Sequence, residues 1–293
     1  MDGAIMDPGA IIVGDAFAAL KRLPSGIAQC CITSPPYWGL RDYDLPGQIG
    51  TESSLTDYLT KLKRVFRELH RVLREDATLW LNVGDSYTSG NRGWRAPDRR
   101  NSARAMNERP PNPPGLKEKE LVGVPWRLAF VLQKQGWHLR ADIVWAKPNP
   151  QPESVKDRPT QSHEYVFLLS KAKNYYYDYE EIREPTNGGD AMRNRRSVWT
   201  IRTEGFHGAH FATFPRELVR LCLLAGSRPG DLVIDPFFGA GTVGLVCQEQ
   251  GRAFLGIELN PSYVELARAR LGIPETCVQV LPLDGLRRRG RRL

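Results

Sequence analysis

Short apolar runs ending in a turn or polar residue alternate with longer stretches of helical spacing over most of this chain. Ala10-Ile11-Ile12-Val13-Gly14-Asp15 and Ala28-Gln29-Cys30-Cys31-Ile32-Thr33 are runs of the first kind, the pattern of parallel strands buried on both faces. Between Ser54 and Leu73 the residues Leu55, Tyr58, Leu59, Leu62, Val65, Phe66, Leu69, Val72 and Leu73 recur at helical intervals. This predicts a long amphipathic helix capped by Ser53 or Ser54. Leu79 to Asp85 reads as the next strand, Val124 to Gln135 as a helix, and Leu139 to Trp145 and Tyr165 to Leu169 as strands. Leu232-Val233-Ile234-Asp235 is a strand that enters a glycine turn and a helix. Glu258 closes another strand before Asn260 and Pro261, which suit a helix cap and its first turn. Strands alternating with helices predict a three-layer α/β/α sandwich on a mainly parallel sheet.

Two stretches interrupt this rhythm. Residues 86–119 are rich in Arg, Pro, Asn and Gly without lasting periodicity, and are expected to form a mobile basic loop in which Arg92, Arg95, Arg99 and Arg100 meet a polyanion. From Tyr175 to Thr203 aromatic residues interleave with Arg193, Arg195 and Arg196, as expected where a nucleic-acid backbone is gripped and bases are touched. The resulting division is a first half-domain at 1–171, a target-recognition region at 172–208, a second half of the same domain at 209–275 and a basic tail at 276–293, whose arginines read as solvated surface. No internal repeat is present.

Charge and cysteine usage narrow the setting. At 293 residues and net charge +8, the chain can bury a large core and suits a polyanionic partner. Its five cysteines show no Cys-x-x-Cys spacing, which argues against zinc and fits a reducing cytoplasm. No apolar stretch approaches a membrane span, and the start lacks a signal-peptide pattern.

The chemistry concentrates in two turns. Ser34-Pro35-Pro36-Tyr37 follows the second predicted strand. An exocyclic nucleobase amine is a poor nucleophile because its lone pair is delocalised into the ring, so a catalyst must hold the N–H groups where that pair localises. Ser34 Oγ and the Pro35 carbonyl, aimed by the rigid Pro35-Pro36 pair, could each accept one N–H, with Tyr37 stacked on a base that has left the duplex. The second turn is Asp235-Pro236-Phe237-Phe238-Gly239-Ala240-Gly241-Thr242. Gly239, Gly241 and Gly244 satisfy the dinucleotide pattern Gly-x-Gly-x-x-Gly, and Glu258 would accept from ribose hydroxyls under either reading. Asp235 separates the two: a carboxylate just before the turn opposes a pyrophosphate but suits the ammonium and sulfonium of S-adenosylmethionine.

With both turns present, the chain resembles the amino-directed DNA methyltransferases of restriction–modification systems over most of its length. Ser34-Pro35-Pro36-Tyr37 resembles the family's catalytic motif, and the segment from Asp235 through Phe237, Gly239, Gly241 and Thr242 resembles its donor loop. The catalytic motif comes first, which is the permuted order of the family's beta group. The resemblance implies a circularly permuted, Rossmann-like methyltransferase fold and S-adenosylmethionine as cofactor. It also implies that Asp15 lies beside the cofactor adenine, and Phe211, Thr213 and Pro215 near its methionine end. Double-stranded DNA would be the substrate, the cytoplasm the location, and a cognate restriction endonuclease a functional partner without physical contact. Monomer and homodimer both stay open.

Members with Ser before Pro-Pro-Tyr tend to modify cytosine N4, and those with Asp or Asn there adenine N6. Ser34 therefore points to cytosine, with adenine as the alternative. Cytosine C5 chemistry needs a thiolate, and no cysteine occupies the catalytic turn. Methylation of RNA or protein, or a catalytically silent DNA-binding protein on the same fold, are the remaining alternatives.

Overall fold

The computed structural model describes residues 9–43, 45–89, 110–186, 191–204 and 214–280. The elements run in the order β1 (Gly9–Val13), α1 (Ala16–Arg22), β2 (Ala28–Thr33), α2 (Leu55–Val72), β3 (Leu73–Val83), α3 (Val124–Lys134), β4 (His138–Ala146), β5 (His163–Ser170), β6 (Glu184–Pro185), β7 (Met192–Arg193) and β8 (Val198–Thr200). They continue with α4 (Arg216–Gly226), β9 (Leu232–Asp235), α5 (Thr242–Glu249), β10 (Ala253–Glu258), α6 (Pro261–Leu271) and β11 (Val278–Val280).

Nine strands form one sheet in the order β11-β1-β10-β9-β2-β3-β5-β4-β8. All its pairings are parallel except those of β5, which runs antiparallel to both β3 and β4. On one face α1, α2 and α3 pack through Ala19, Leu20, Tyr58, Leu62, Phe66 and Leu128. On the other, α4, α5 and α6 pack through Leu218, Cys222, Val243, Val246 and Val264. These are the three layers expected from the alternation of strands and helices.

The connections decide where a ligand can enter. β9 continues through α5 to β10 on one side, whereas β2 continues through α2 to β3 on the other. The two connecting helices therefore leave the β2–β9 border on opposite faces. Ligands bind open α/β sheets at such a divergence, outside the carboxyl ends of the strands.

Several elements match the sequence pattern closely. Ser54 caps α2, its hydroxyl accepting from Asp57 N at 3.1 Å, and Asn260 caps α6 with Pro261 in the first turn. Other features depart from it. β3 begins at Leu73 with no intervening loop after α2, and β5 begins at His163, two residues before the expected Tyr165. The described part of 172–208 also contributes to the main sheet and its core. β8 extends the main sheet beside β4, and Ile182 and Trp199 are buried in its core, because apolar residues in this segment complete a sheet face that would otherwise be open. The expected tail likewise begins with β11, hydrogen-bonded to β1. At the ends of the 86–119 stretch, Thr88 Oγ1 donates to the Lys117 carbonyl at 2.6 Å and Val122 N to the Ser86 carbonyl at 2.8 Å. Among the described residues no helix is long and apolar enough to cross a membrane.

Candidate active site

β2 and β9 are neighbours, with Cys31 opposite Ile234, so the residues that end them emerge side by side. Thr33 Oγ1 donates to Asp235 Oδ1 at 2.6 Å, and Phe237 N donates to the same oxygen at 3.0 Å. Asp235 is 2% exposed. Burial pushes its carboxyl up to about 7, against the pull of the Thr33 and Phe237 hydrogen bonds and with a smaller upward push from Glu258. The Ser34 turn and the glycine turn, about two hundred residues apart in the chain, are thus joined by one side-chain hydrogen bond. Asp235 is a strut between strands as well as a source of negative charge.

The glycine turn takes its shape from its own backbone. Gly239 and Gly241 have φ of 52° and 77°, a region that a side chain makes costly. A Cβ on Gly239 would meet open space, so that turn faces the crevice. Glu258 straps the turn to α6, its Oε2 accepting from Gly239 N and its Oε1 from Asn260 N, both at 2.8 Å. Burial raises its pKa, and the backbone donors oppose that shift. Each oxygen keeps a second lone pair, which is what a ribose hydroxyl requires.

Beneath the turn, Phe238 stacks on Phe254 with ring centroids 5.6 Å apart. A Cβ on Gly244 would lie 2.7 Å from the Phe238 ring, and one on Gly256 2.3 Å. The third glycine of the dinucleotide-like pattern therefore serves helix-to-sheet packing. Thr242 is buried, and its hydroxyl accepts from Arg270 at 2.9 Å. Phe237 is half-buried and packs toward the α1–α3 side. Asp15 caps α1 by accepting from Ala18 N at 2.9 Å. The bond from Gly14 N to the Glu258 carbonyl, 2.8 Å, sets Asp15 beside Glu258. Pro215 opens α4. Phe211 and Thr213 lie outside the described residues, as do Arg92, Arg95, Arg99 and Arg100.

The proline turn is held by side chains from distant segments. Tyr58 on α2 donates to the Pro36 carbonyl at 2.9 Å, and Trp38 Nε1 to the Glu52 carbonyl at 3.0 Å. The Glu52 carboxylate accepts from Gly50 N and pairs with Lys61 at 2.7 Å. Tyr37 is half-buried, with its ring edge against Gly84, where a Cβ would fall 2.6 Å from Cε2. Its hydroxyl donates to Glu164 Oε2 at 2.8 Å, lies 3.3 Å from Asn82 Oδ1, and accepts from Ser34 Oγ at 3.4 Å. Burial and the neighbouring Glu164 carboxylate raise the Tyr37 pKa well above its ordinary value, so the phenol keeps its proton. Glu164 in turn pairs with Lys147.

Asn82, Lys147 and Glu164 are the site residues that motif reading missed. The available signal was Glu164 itself, a charged residue two positions before Val166 on a strand whose alternate residues Val166 and Leu168 are core. The three arginines expected to meet DNA have partners within their own segment. Arg193 and Arg196 pair with Glu184 at 3.0 and 2.6 Å, and Arg195 Nε donates to the Ile182 carbonyl at 2.8 Å.

The crevice fits a cationic, ribose-bearing methyl donor. The buried Asp235 and the half-buried Glu258 border it, and an open glycine turn lines it. A family model described as DNA methylase, covering N6- and N4-directed enzymes, matches residues 28–269. The type II methyltransferase M.Cfr9I of Citrobacter freundii is 61% identical over 265 residues, covering 90% of this chain and 88% of that one. M.SmaI of Serratia marcescens is 61% identical over 262 residues, covering 89% and 90%. Among solved structures, TTHA0409 of Thermus thermophilus in complex with S-adenosyl-L-methionine superimposes with TM-score 0.65 at 25% identity, over 94% of this chain and 98% of that one. The PvuII DNA methyltransferase shares the fold with TM-score 0.68 at 19% identity, over 92% and 89%. The chain belongs to the amino-directed N6/N4 DNA methyltransferases.

Proposed function

We propose that this DNA methyltransferase modifies the exocyclic N4 of cytosine in double-stranded DNA, as the modification enzyme of a restriction–modification system. S-adenosyl-L-methionine is its cofactor and, when bound, supplies an electrophilic methyl group on a sulfonium. The observation that carries the reading is the Thr33–Asp235 hydrogen bond, which sets the amine acceptors next to the donor turn. Glu258 has the lone pairs to hold the ribose, and Asp15 stands beside it at the end proposed for adenine. Asp235 contributes negative potential beneath the turn.

On the other side, Ser34 Oγ and the Pro35 carbonyl take the two amine N–H groups of an extruded base, and Tyr37 closes the pocket. Holding both reactants in line is worth roughly 7–11 kcal/mol of the barrier, and no covalent enzyme intermediate is required. Ser34 in the first motif position supports cytosine over adenine. The net charge of +8, with Arg193, Arg195 and Arg196 on one segment, supports duplex DNA as the substrate. A cognate restriction endonuclease is the functional partner this implies.

Mass spectrometry of nucleosides from DNA incubated with the protein and donor tests the reading. N4-methylcytosine is the expected product. N6-methyladenine would overturn the choice of base, and unmodified DNA would overturn the activity.

A further inference from the structure

Lys147 and Glu164 form an ion pair at the rim of the crevice, with side chains only 16% and 17% exposed. Lys147 also lies over the Trp145 ring, 4.3 Å from its centroid, and Trp145 is anchored by its Nε1 bond to the Ile201 carbonyl at 2.8 Å. A pair this buried gives up much of its hydration, so its net contribution to stability is small. Its geometry serves another purpose. Glu164 turns one oxygen to Lys147 and the other to Tyr37.

A tyrosine hydroxyl has one proton to give. Two acceptors compete for it, Glu164 Oε2 at 2.8 Å and Asn82 Oδ1 at 3.3 Å. The charged and closer one takes it. Asn82 cannot reverse this, because its Nδ2 is committed to the Tyr165 carbonyl at 3.1 Å and presents only oxygen to Tyr37. The phenol oxygen is left able to accept and nothing else, and the hydroxyl within reach is that of Ser34, 3.4 Å away. The Ser34 proton is thereby drawn toward Tyr37, which leaves the Ser34 lone pairs for the substrate amine.

We infer that Glu164, held by Lys147, is a positioning residue that sets the hydrogen-bond polarity of the catalytic turn through Tyr37, making Ser34 an acceptor. This rests on the reading of Ser34 as the amine acceptor. It involves no proton transfer to Glu164.

Glu164→Gln tests it, since the change keeps the volume while reversing the polarity. Lys147 attracts the amide oxygen, which turns the amide N–H toward Tyr37, and the Tyr37 proton is left to the neutral acceptors Asn82 Oδ1 at 3.3 Å and Ser34 Oγ at 3.4 Å, so that the polarity at Ser34 is no longer fixed. Single-turnover methylation should fall by about tenfold or more, with donor and DNA affinities within about twofold of wild type. Adding Lys147→Met frees the amide to turn its oxygen to Tyr37, and should recover most of the lost rate. A merely structural role predicts the opposite, a double variant slower than the single one. Tyr37→Phe, which cuts the link while keeping the ring, should match the loss in Glu164→Gln and decides the matter equally if that variant does not fold. Wild-type rate in Glu164→Gln or Tyr37→Phe, or a double variant slower than Glu164→Gln, would overturn the inference. If Ser34→Ala keeps full activity, the underlying reading fails instead, whatever Glu164 does.

Discussion

The two turns that meet at the β2–β9 border are built by different means. The glycine turn is nearly self-contained: Asp235, Phe238, Gly239, Gly241, Gly244, Gly256 and Glu258 lie within one strand–helix–strand unit and hold one another. The proline turn borrows its support from α2, β3, the residue that follows β4, and β5, through Tyr58, Asn82, Lys147 and Glu164. Binding a common cofactor needs a local backbone shape. Activating a weak amine needs acceptors aimed from several directions, which a local segment cannot supply.

The sharpest test of this contrast is Ser34→Ala. It should lower the methylation rate on the order of a hundredfold or more, by analogy with losing one aimed polar group in an active site. Donor affinity measured by titration calorimetry should stay unchanged. Equal losses of both would dissolve the division of labour.

Asp235 offers the next largest effect. Its carboxyl lies at about 7 in the free protein, above the ordinary 3.8. Between those values the folded chain binds a proton that the unfolded chain has released. The stability this group contributes is therefore full below about pH 4 and lost as pH rises through about 7. A cationic donor needs the ionised form, so donor affinity should rise about tenfold from pH 6 to pH 8. Asp235→Asn keeps an acceptor for Thr33 and should flatten that rise; an unaltered slope would assign the titration elsewhere.

Gly256→Ala should act on the donor turn alone. Its Cβ would press on Phe238 from 2.3 Å, an overpacking cost of about 1–3 kcal/mol, read as a fall in Tm together with weaker donor binding. Tyr58→Phe is the smallest change. Losing the bond to the Pro36 carbonyl should cost about 1 kcal/mol and slow methyl transfer a few-fold with donor binding intact. Weakened donor binding in Tyr58→Phe would show that the two turns are not independently supported.

Legibility followed the same division. Strand β2, helix α2, the caps Ser54 and Asn260 and both motif turns could be read directly, because each is a local pattern of burial or turn chemistry. The antiparallel β5 could not, since an apolar run has the same composition in either direction. β8 is three residues long and lies in an arginine-rich segment, so the burial of Trp199 leaves no periodic pattern in the sequence. Glu164 is not legible in the sequence, because a carboxylate at the start of a strand has the pattern of a solvent-facing residue until Tyr37 is placed against it.

The order of residues by itself determined the class of architecture, the donor turn and the residue types that can engage an amine, since periodicity, glycine conformations and side-chain chemistry are local properties. Only the tertiary structure decided that Thr33 would bond Asp235 across about two hundred residues, and that Glu164 and Lys147 would stand behind Tyr37. Those contacts depend on which strands become neighbours and which faces they share. That is set by packing the whole sheet between its helices.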